Sequence, residues 1–203
     1  MNQSQIKKGL FNIAQHDAEL KHALSIHGHP QPRVQAAGFE TFVVTIVNQQ
    51  LSTKAANTIM QRVRDLLIDI TPDNVLKRRK TTLRKTGLSE RKVEYIQGLA
   101  KAIKSGQFDP DTLASLDDAC AINTITTLHG FGEWSAEIYL MFSLGRQDIF
   151  PANDLALQIA LQNLKKLNKR PTPKVARSLV EHWAPWRSAG SLFLWHYYNS
   201  HKN

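Results

Sequence analysis

Between Gly38 and Gln50, Phe39, Phe42, Val43, Ile46 and Val47 recur at the spacing of one helix face. Ala55, Ala56, Ile59, Met60, Val63, Leu66 and Leu67 repeat the pattern in the next segment, so both stretches predict helices that turn an apolar stripe toward a core. The punctuation agrees. Thr71-Pro72 supplies a cap and a first-turn proline, Ser89 opens a helix carrying Val93, Ile96, Leu99, Ala100 and Ile103, and Asp109-Pro110 opens another. Further helices are predicted over Ser4 to Ile26, Asp117 to Leu128, Trp134 to Leu144, Asp154 to Leu167, Pro173 to Trp183 and Trp186 to Tyr198. No segment reads as a strand, so the predicted class is all-α. His27 to Ala37, with Pro30 and Pro32, reads as a linker after the N-terminal helix.

Composition narrows the possible functions. At 203 residues and 42% hydrophobic, the chain can bury one sizeable core, or two helical lobes sharing a cleft, without covalent staples. Cys120 is the only cysteine, which excludes an intramolecular disulfide, a four-thiolate zinc site and a four-cysteine iron–sulfur cluster. Eight histidines, including His27-x-His29, give no metal spacing supported by other ligands, so no side-chain metal site is expected. There is no membrane-length apolar run and no apolar leader at the N-terminus, so a protein without membrane attachment is expected, cytoplasmic in a bacterium or nuclear in a eukaryote. The formal charge of +9 suggests a polyanionic partner, without choosing among DNA, RNA and a lipid surface.

Leu128-His129-Gly130-Phe131-Gly132-Glu133-Trp134-Ser135-Ala136 sets two glycines between predicted helices. Glycines here admit left-handed backbone angles and leave amides unobstructed, and amides at the start of a helix can hold a phosphate whatever the base. Taken alone, the segment reads more readily as an ordinary glycine-rich helix connection. The wider pattern resembles the L-P-G-[IV]-G-x-x-T-A hairpin of the helix-hairpin-helix (HhH-GPD) DNA glycosylase superfamily, and it continues through Phe150-Pro151-Ala152-Asn153-Asp154-Leu155 to the family's closing Asp. His129 stands at the usual Pro, Ser135 at the usual Thr, and Asn153 departs from the common residues before the Asp. Phe39-Glu40 through Val47-Asn48-Gln49-Gln50-Leu51-Ser52, and Pro185-Trp186-Arg187-Ser188 with Trp195, are similar to segments of the alkylated-base branch, the DNA-3-methyladenine glycosylase II (AlkA-like) enzymes.

The resemblance implies an all-α fold of two lobes, one spanning about 38–130 and ending in the hairpin, the other about 1–37 plus 135–203, with the active site in the cleft between them. It implies a monofunctional enzyme that flips an alkylated purine, 3-methyladenine or 7-methylguanine, out of double-stranded DNA and hydrolyses its glycosidic bond in base excision repair. Asp154 would stabilise the oxocarbenium-like sugar, orient the attacking water, or do both. An Asp opening a helix is also an ordinary N-cap.

Trp134, Trp195, Phe39, Ile138 and Tyr139 would form the base pocket, where an indole face favours a cationic base. Gln50, with Leu51 and Ser52, would plug the gap left by the flipped base, and Gly130, Phe131, Gly132, Trp134 and Ser135 would hold the backbone. Trp134 stands where lyase enzymes carry a Schiff-base Lys, so no lyase activity is expected. No cofactor is expected beyond a monovalent cation, Na or K, at hairpin backbone carbonyls, and the partner is alkylated duplex DNA bound by a monomer.

Two basic groups are candidates for phosphate contact: Lys77, Arg78, Arg79, Lys80, Arg84 and Lys85, and Lys165, Lys166, Lys169, Arg170, Lys174 and Arg177. Two other readings share these features: a non-catalytic helix-hairpin-helix DNA-binding module, and a glycosylase for other damaged bases.

Overall fold

The computed structural model describes residues 1–201 apart from the Thr53 side chain. In chain order its helices are α1 (Gln3–Ala14), α2 (Ala18–His27), α3 (Phe39–Asn48), α4 (Thr53–Leu67), α5 (Pro72–Leu76), α6 (Lys80–Arg84), α7 (Glu90–Lys104), α8 (Asp118–Thr126), α9 (Glu133–Phe142), α10 (Leu155–Leu164), α11 (Pro173–Leu179) and α12 (Arg187–Ser200). Short 3-10 turns lie at Pro110–Ser115 and Glu181–Trp183. Among the described residues there is no strand, as the class expectation requires, and no helix long and apolar enough to cross a membrane.

The chain forms two compact units, Gln35–Tyr139 and Met1–Val34 with Leu140–Asn203. In the first, α3 packs on α4 and α7, while α7 receives α5 and α6. The apolar face read from Phe39 to Val47 is buried as its periodicity demands. Phe42 is its hub: Tyr139 stacks on it at 4.2 Å, and Phe108 and Phe131 meet it edge-on at 5.4 Å each. Such pairs contribute roughly 0.5–1.5 kcal/mol each beyond area burial. They also explain the boundary. The lobe division expected from sequence put residues 135–139 with the C-terminal segment, but Tyr139 stacks on Phe42 and its hydroxyl accepts the Gly38 N–H at 2.9 Å, so these residues belong with the 35–139 unit.

In the other unit α12 packs against α1, α2 and α10. Its residues Ser188 to Trp195 are all buried, and it crosses α1 closely at Gly9, where an added Cβ would lie 2.8 Å from the Ala189 Cβ. The single helix predicted over Ser4 to Ile26 is two. Asp17 breaks it by accepting the Leu20 N–H at 2.9 Å as the cap of α2, and its buried carboxylate also gathers Lys165 Nζ (2.8 Å), the Trp183 indole N–H (2.6 Å) and the His182 ring (3.0 Å). A buried carboxylate is tolerated only when so surrounded, and these partners lie far along the chain. The helix expected after Asp109-Pro110 is one 3-10 segment, and that predicted over Pro173 to Trp183 stops at Leu179 before a 3-10 turn.

Candidate functional site

The loop Leu128–Gly132 joins α8 to α9. Phe131 N–H donates to Leu128 O at 3.1 Å to close the turn, and Gly130 adopts φ +96°, a region where a side chain is strained. The position needs glycine twice over, because a Cβ there would clash with the ring of Tyr95. Gly132 differs: its φ is not positive and an added Cβ would meet nothing within 4 Å. The left-handed freedom anticipated at both glycines is therefore used only at Gly130. What Gly132 contributes is an open approach to the backbone immediately before α9, at the positive end of that helix. Phe131 is buried against Phe42, so only its backbone faces the loop surface, and Ser135 is buried in the first turn of α9.

A second turn, Asn48 to Leu51, lies beside this hairpin in the same unit. Leu51 N–H donates to Asn48 O, Gln49 sits at φ −56°, ψ 126°, and Gln50 at φ +57°, which is a type II turn with glutamine in the position usually given to Gly or Asn. Gln50 is exposed, Leu51 is 38% exposed, and Ser52 caps α4 through the Ala55 N–H. Two side chains hold the turn. The Gln49 amide donates to Gly130 O at 2.8 Å, and Lys92 Nζ donates to Val47 O and Gln49 O at 2.9 Å each. Burial pushes the Lys92 ammonium below its usual range. A cavity of about 360 Å³ opens between Gln49, Gln50, Arg91, Lys92, Tyr95 and Gly130.

The carboxylate stands in the other unit. Asp154 Oδ1 accepts the Leu157 N–H at 3.0 Å as the cap of α10, and the Trp195 indole N–H from α12 at 3.2 Å. Trp195 is 7% exposed, its ring lies against Phe142 at 5.7 Å, and the Arg33 guanidinium stands over its ring at 5.6 Å from the centroid. This fold thus brings a carboxylate to the edge of an indole whose face attracts a cation.

Asp154 and Trp195 are brought together. Phe39, Trp134 and Ile138 lie in the 35–139 unit, with Phe39 and Ile138 buried and Trp134 half-buried. Tyr139, anticipated as a pocket wall, has its ring on Phe42 and its hydroxyl on Gly38 and is a core residue. Within the basic groups, Lys165 binds Asp17 and Glu19, Arg177 donates to Phe150 O, and Lys80 pairs with Glu94, so these charges are directed inward or to neighbours. Among the described residues no cluster of His, Cys, Asp or Glu could hold a metal ion. Sequence reasoning missed Arg33, Gln49, Lys92 and Tyr95. Arg33 sat in an apparent linker and Lys92 on an ordinary helix, and only the Gln49-Gln50 pair carried a signal, read for its second member.

A glycine hairpin leading into a helix thus stands in one unit, and a capping carboxylate joined to an indole in the other. The chain belongs to the HhH-GPD superfamily of base excision DNA repair proteins, whose family model matches residues 43–185. It is similar to the crystal structure of a DNA-3-methyladenine glycosidase from Bacillus halodurans, with 31% identity, a TM-score of 0.86, and coverage of 96% of this chain and 90% of that one. It is similar to the 3-methyladenine DNA glycosylase of Schizosaccharomyces pombe in complex with abasic DNA, with 27% identity, a TM-score of 0.84 and 97% coverage of both chains. In sequence it is 28% identical to the DNA-3-methyladenine glycosylase 1 of the same yeast, over 94% of this chain and 86% of the relative.

Proposed function

We propose that the protein is a monofunctional DNA glycosylase that releases alkylated purines, 3-methyladenine and 7-methylguanine, from double-stranded DNA and leaves an abasic site. The observation that carries this reading is the Arg33–Trp195–Asp154 arrangement: a ring face that already attracts a guanidinium, with a carboxylate at the edge of the same ring. A purine alkylated at N3 or N7 is cationic and gains roughly 0.5–2 kcal/mol over an indole, which separates damaged from normal base. It is also a good leaving group, so one carboxylate suffices to stabilise the positive sugar and to orient water.

Gln50, presented on its exposed turn, fills the stack once the base is flipped, and the Gly132 amide with the α9 N-terminus holds a phosphate. Trp134 stands where a lyase would need Lys, so water is the nucleophile and the strand is not cut. A Na or K ion at the hairpin is compatible with its carbonyls: Gly130 O accepts from Gln49 and Gly132 O from Ala136 N–H, which leaves each a second lone pair.

The test is base release from methylated duplex by the purified protein, followed by a panel of single-lesion duplexes, in Na, K and tetramethylammonium buffers. Wild type frees 3-methyladenine, and Asp154→Asn binds duplex normally but frees none. Near-normal excision by Asp154→Asn would overturn the catalytic assignment, and a protein that frees no base from any lesion is a binding module.

A further inference from the structure

The two oxygens of an aspartate can exchange places by rotation about one bond, so a carboxylate that must face one reacting centre needs more than a single anchor. As the cap of α10, Asp154 already has one: Oδ1 accepts the Leu157 N–H at 3.0 Å. A cap needs nothing further, yet the same oxygen receives a second donor, the Trp195 indole N–H, from a helix 41 residues along the chain. The indole is itself fixed. It is 7% exposed, Phe142 lies against it at 5.7 Å, and α12 is buried along the stretch that carries it. A charge-assisted bond so sheltered from water is stronger than its surface equivalent, and the rigidity of the donor passes to the acceptor.

We infer that Trp195 is a positioning residue of Asp154: its N–H joins the Leu157 N–H on Oδ1, so that the carboxylate is held in one orientation for the reaction. This role is additional to holding a base on the ring face, and it rests on the reading of Asp154 as the catalytic carboxylate. The ring then has two uses at right angles. Its face attracts a cation, as Arg33 shows, while its edge sets the carboxylate. An aromatic ring without the N–H serves the first use and fails the second.

That difference supplies the test. Trp195→Phe keeps an aromatic face and deletes the donor, and replacement of Trp195 by benzothienylalanine keeps the bicyclic shape as well, which covers the case in which phenylalanine packs poorly. In excision from a duplex with one 3-methyladenine, followed over a range of duplex concentrations, kcat should fall about ten- to a hundredfold in both variants, the range for a hydrogen bond to a charged group. KM and affinity for the lesion duplex should change by less than about threefold, because ring and face remain. A purely structural or stacking role would instead raise KM or leave the benzothienyl variant fully active, and either result overturns the inference.

A second readout does not depend on turnover. In an NMR spectrum of the full chain the Trp195 indole N–H resonance, assigned by its loss in Trp195→Phe, should move upfield in Asp154→Ala. An unmoved resonance means the bond is not made in solution and refutes the proposal. The two readings fail separately: active Asp154→Asn sinks the carboxylate's role and the positioning role with it, whereas inactive Asp154→Asn beside fully active Trp195 variants sinks the positioning role alone.

Discussion

Replacing Gly130 by alanine separates two costs that the hairpin imposes at one atom. Its φ of +96° lies in the region disfavoured for a residue with a Cβ, which costs about 1–2 kcal/mol. The new methyl would also clash with the ring of Tyr95, and overpacking of that kind costs about 1–3 kcal/mol. Tyr95 is held in place by His129, whose ring it meets edge-on at 4.7 Å. Gly130→Ala should therefore lose about 2–5 kcal/mol, and at about 2–4 °C per kcal/mol for a chain of this size its Tm should fall well outside measurement error.

Thermal unfolding of four proteins decides the matter: wild type, Gly130→Ala, Tyr95→Ala and the double variant. Removing the Tyr95 ring should relieve the clash and leave the backbone strain, so in that background the alanine should cost only about 1–2 kcal/mol, and the coupling between the two sites should be favourable by the difference. Gly132→Ala is the control, expected within about 0.5 kcal/mol of wild type because its φ is ordinary and no atom lies within 4 Å of its Cβ. If Gly130→Ala costs the same with and without Tyr95, or no more than Gly132→Ala, the reasoning fails.

Gln50→Gly should raise stability by about 1 kcal/mol, since glycine suits the +57° position of the type II turn, while excision falls for want of a side chain to fill the stack; a less stable or fully active variant would contradict this. The Asp148 carboxyl is pushed up by burial but pulled below its ordinary value by the Arg187 guanidinium at 2.6 and 2.7 Å, and the net shift is downward. A depressed folded value gives stability that is fully present above the ordinary aspartate value of about 3.8 and is lost as pH falls through the folded value below it. Thermal scans from pH 7 to 2.5 should show wild type losing more stability in acid than Asp148→Asn; parallel curves would refute the linkage.

Helices were legible wherever periodicity and caps coincided. The apolar face of α3 and the caps Thr71 and Ser89 stand where the pattern put them, because those signals depend on residues within one turn of each other. The break at Asp17 was not legible, since a buried carboxylate in mid-pattern makes sense only once Lys165, His182 and Trp183 arrive from more than 140 residues away. The site divides in the same way. Asp154 and Gly130 carry a local motif, whereas Lys92 and Arg33 act through partners 45 and 162 positions distant, and Tyr139 had a motif neighbourhood that suggested a wall but a ring already claimed by Phe42.

The bond from the Gln49 amide to Gly130 O has a consequence for how the protein meets a duplex. It ties the exposed Gln50 turn to the hairpin, and Lys92 clamps the same turn from α7, so the spacing between the two elements is set during folding. Whatever they grip must match a gauge that is already closed, and the ordering entropy that a loose loop would lose on binding has been spent beforehand. On the proposed function, duplex that deviates from that gauge would have to bend to fit, and the mechanical compliance of the DNA around a lesion would become part of what this protein reads.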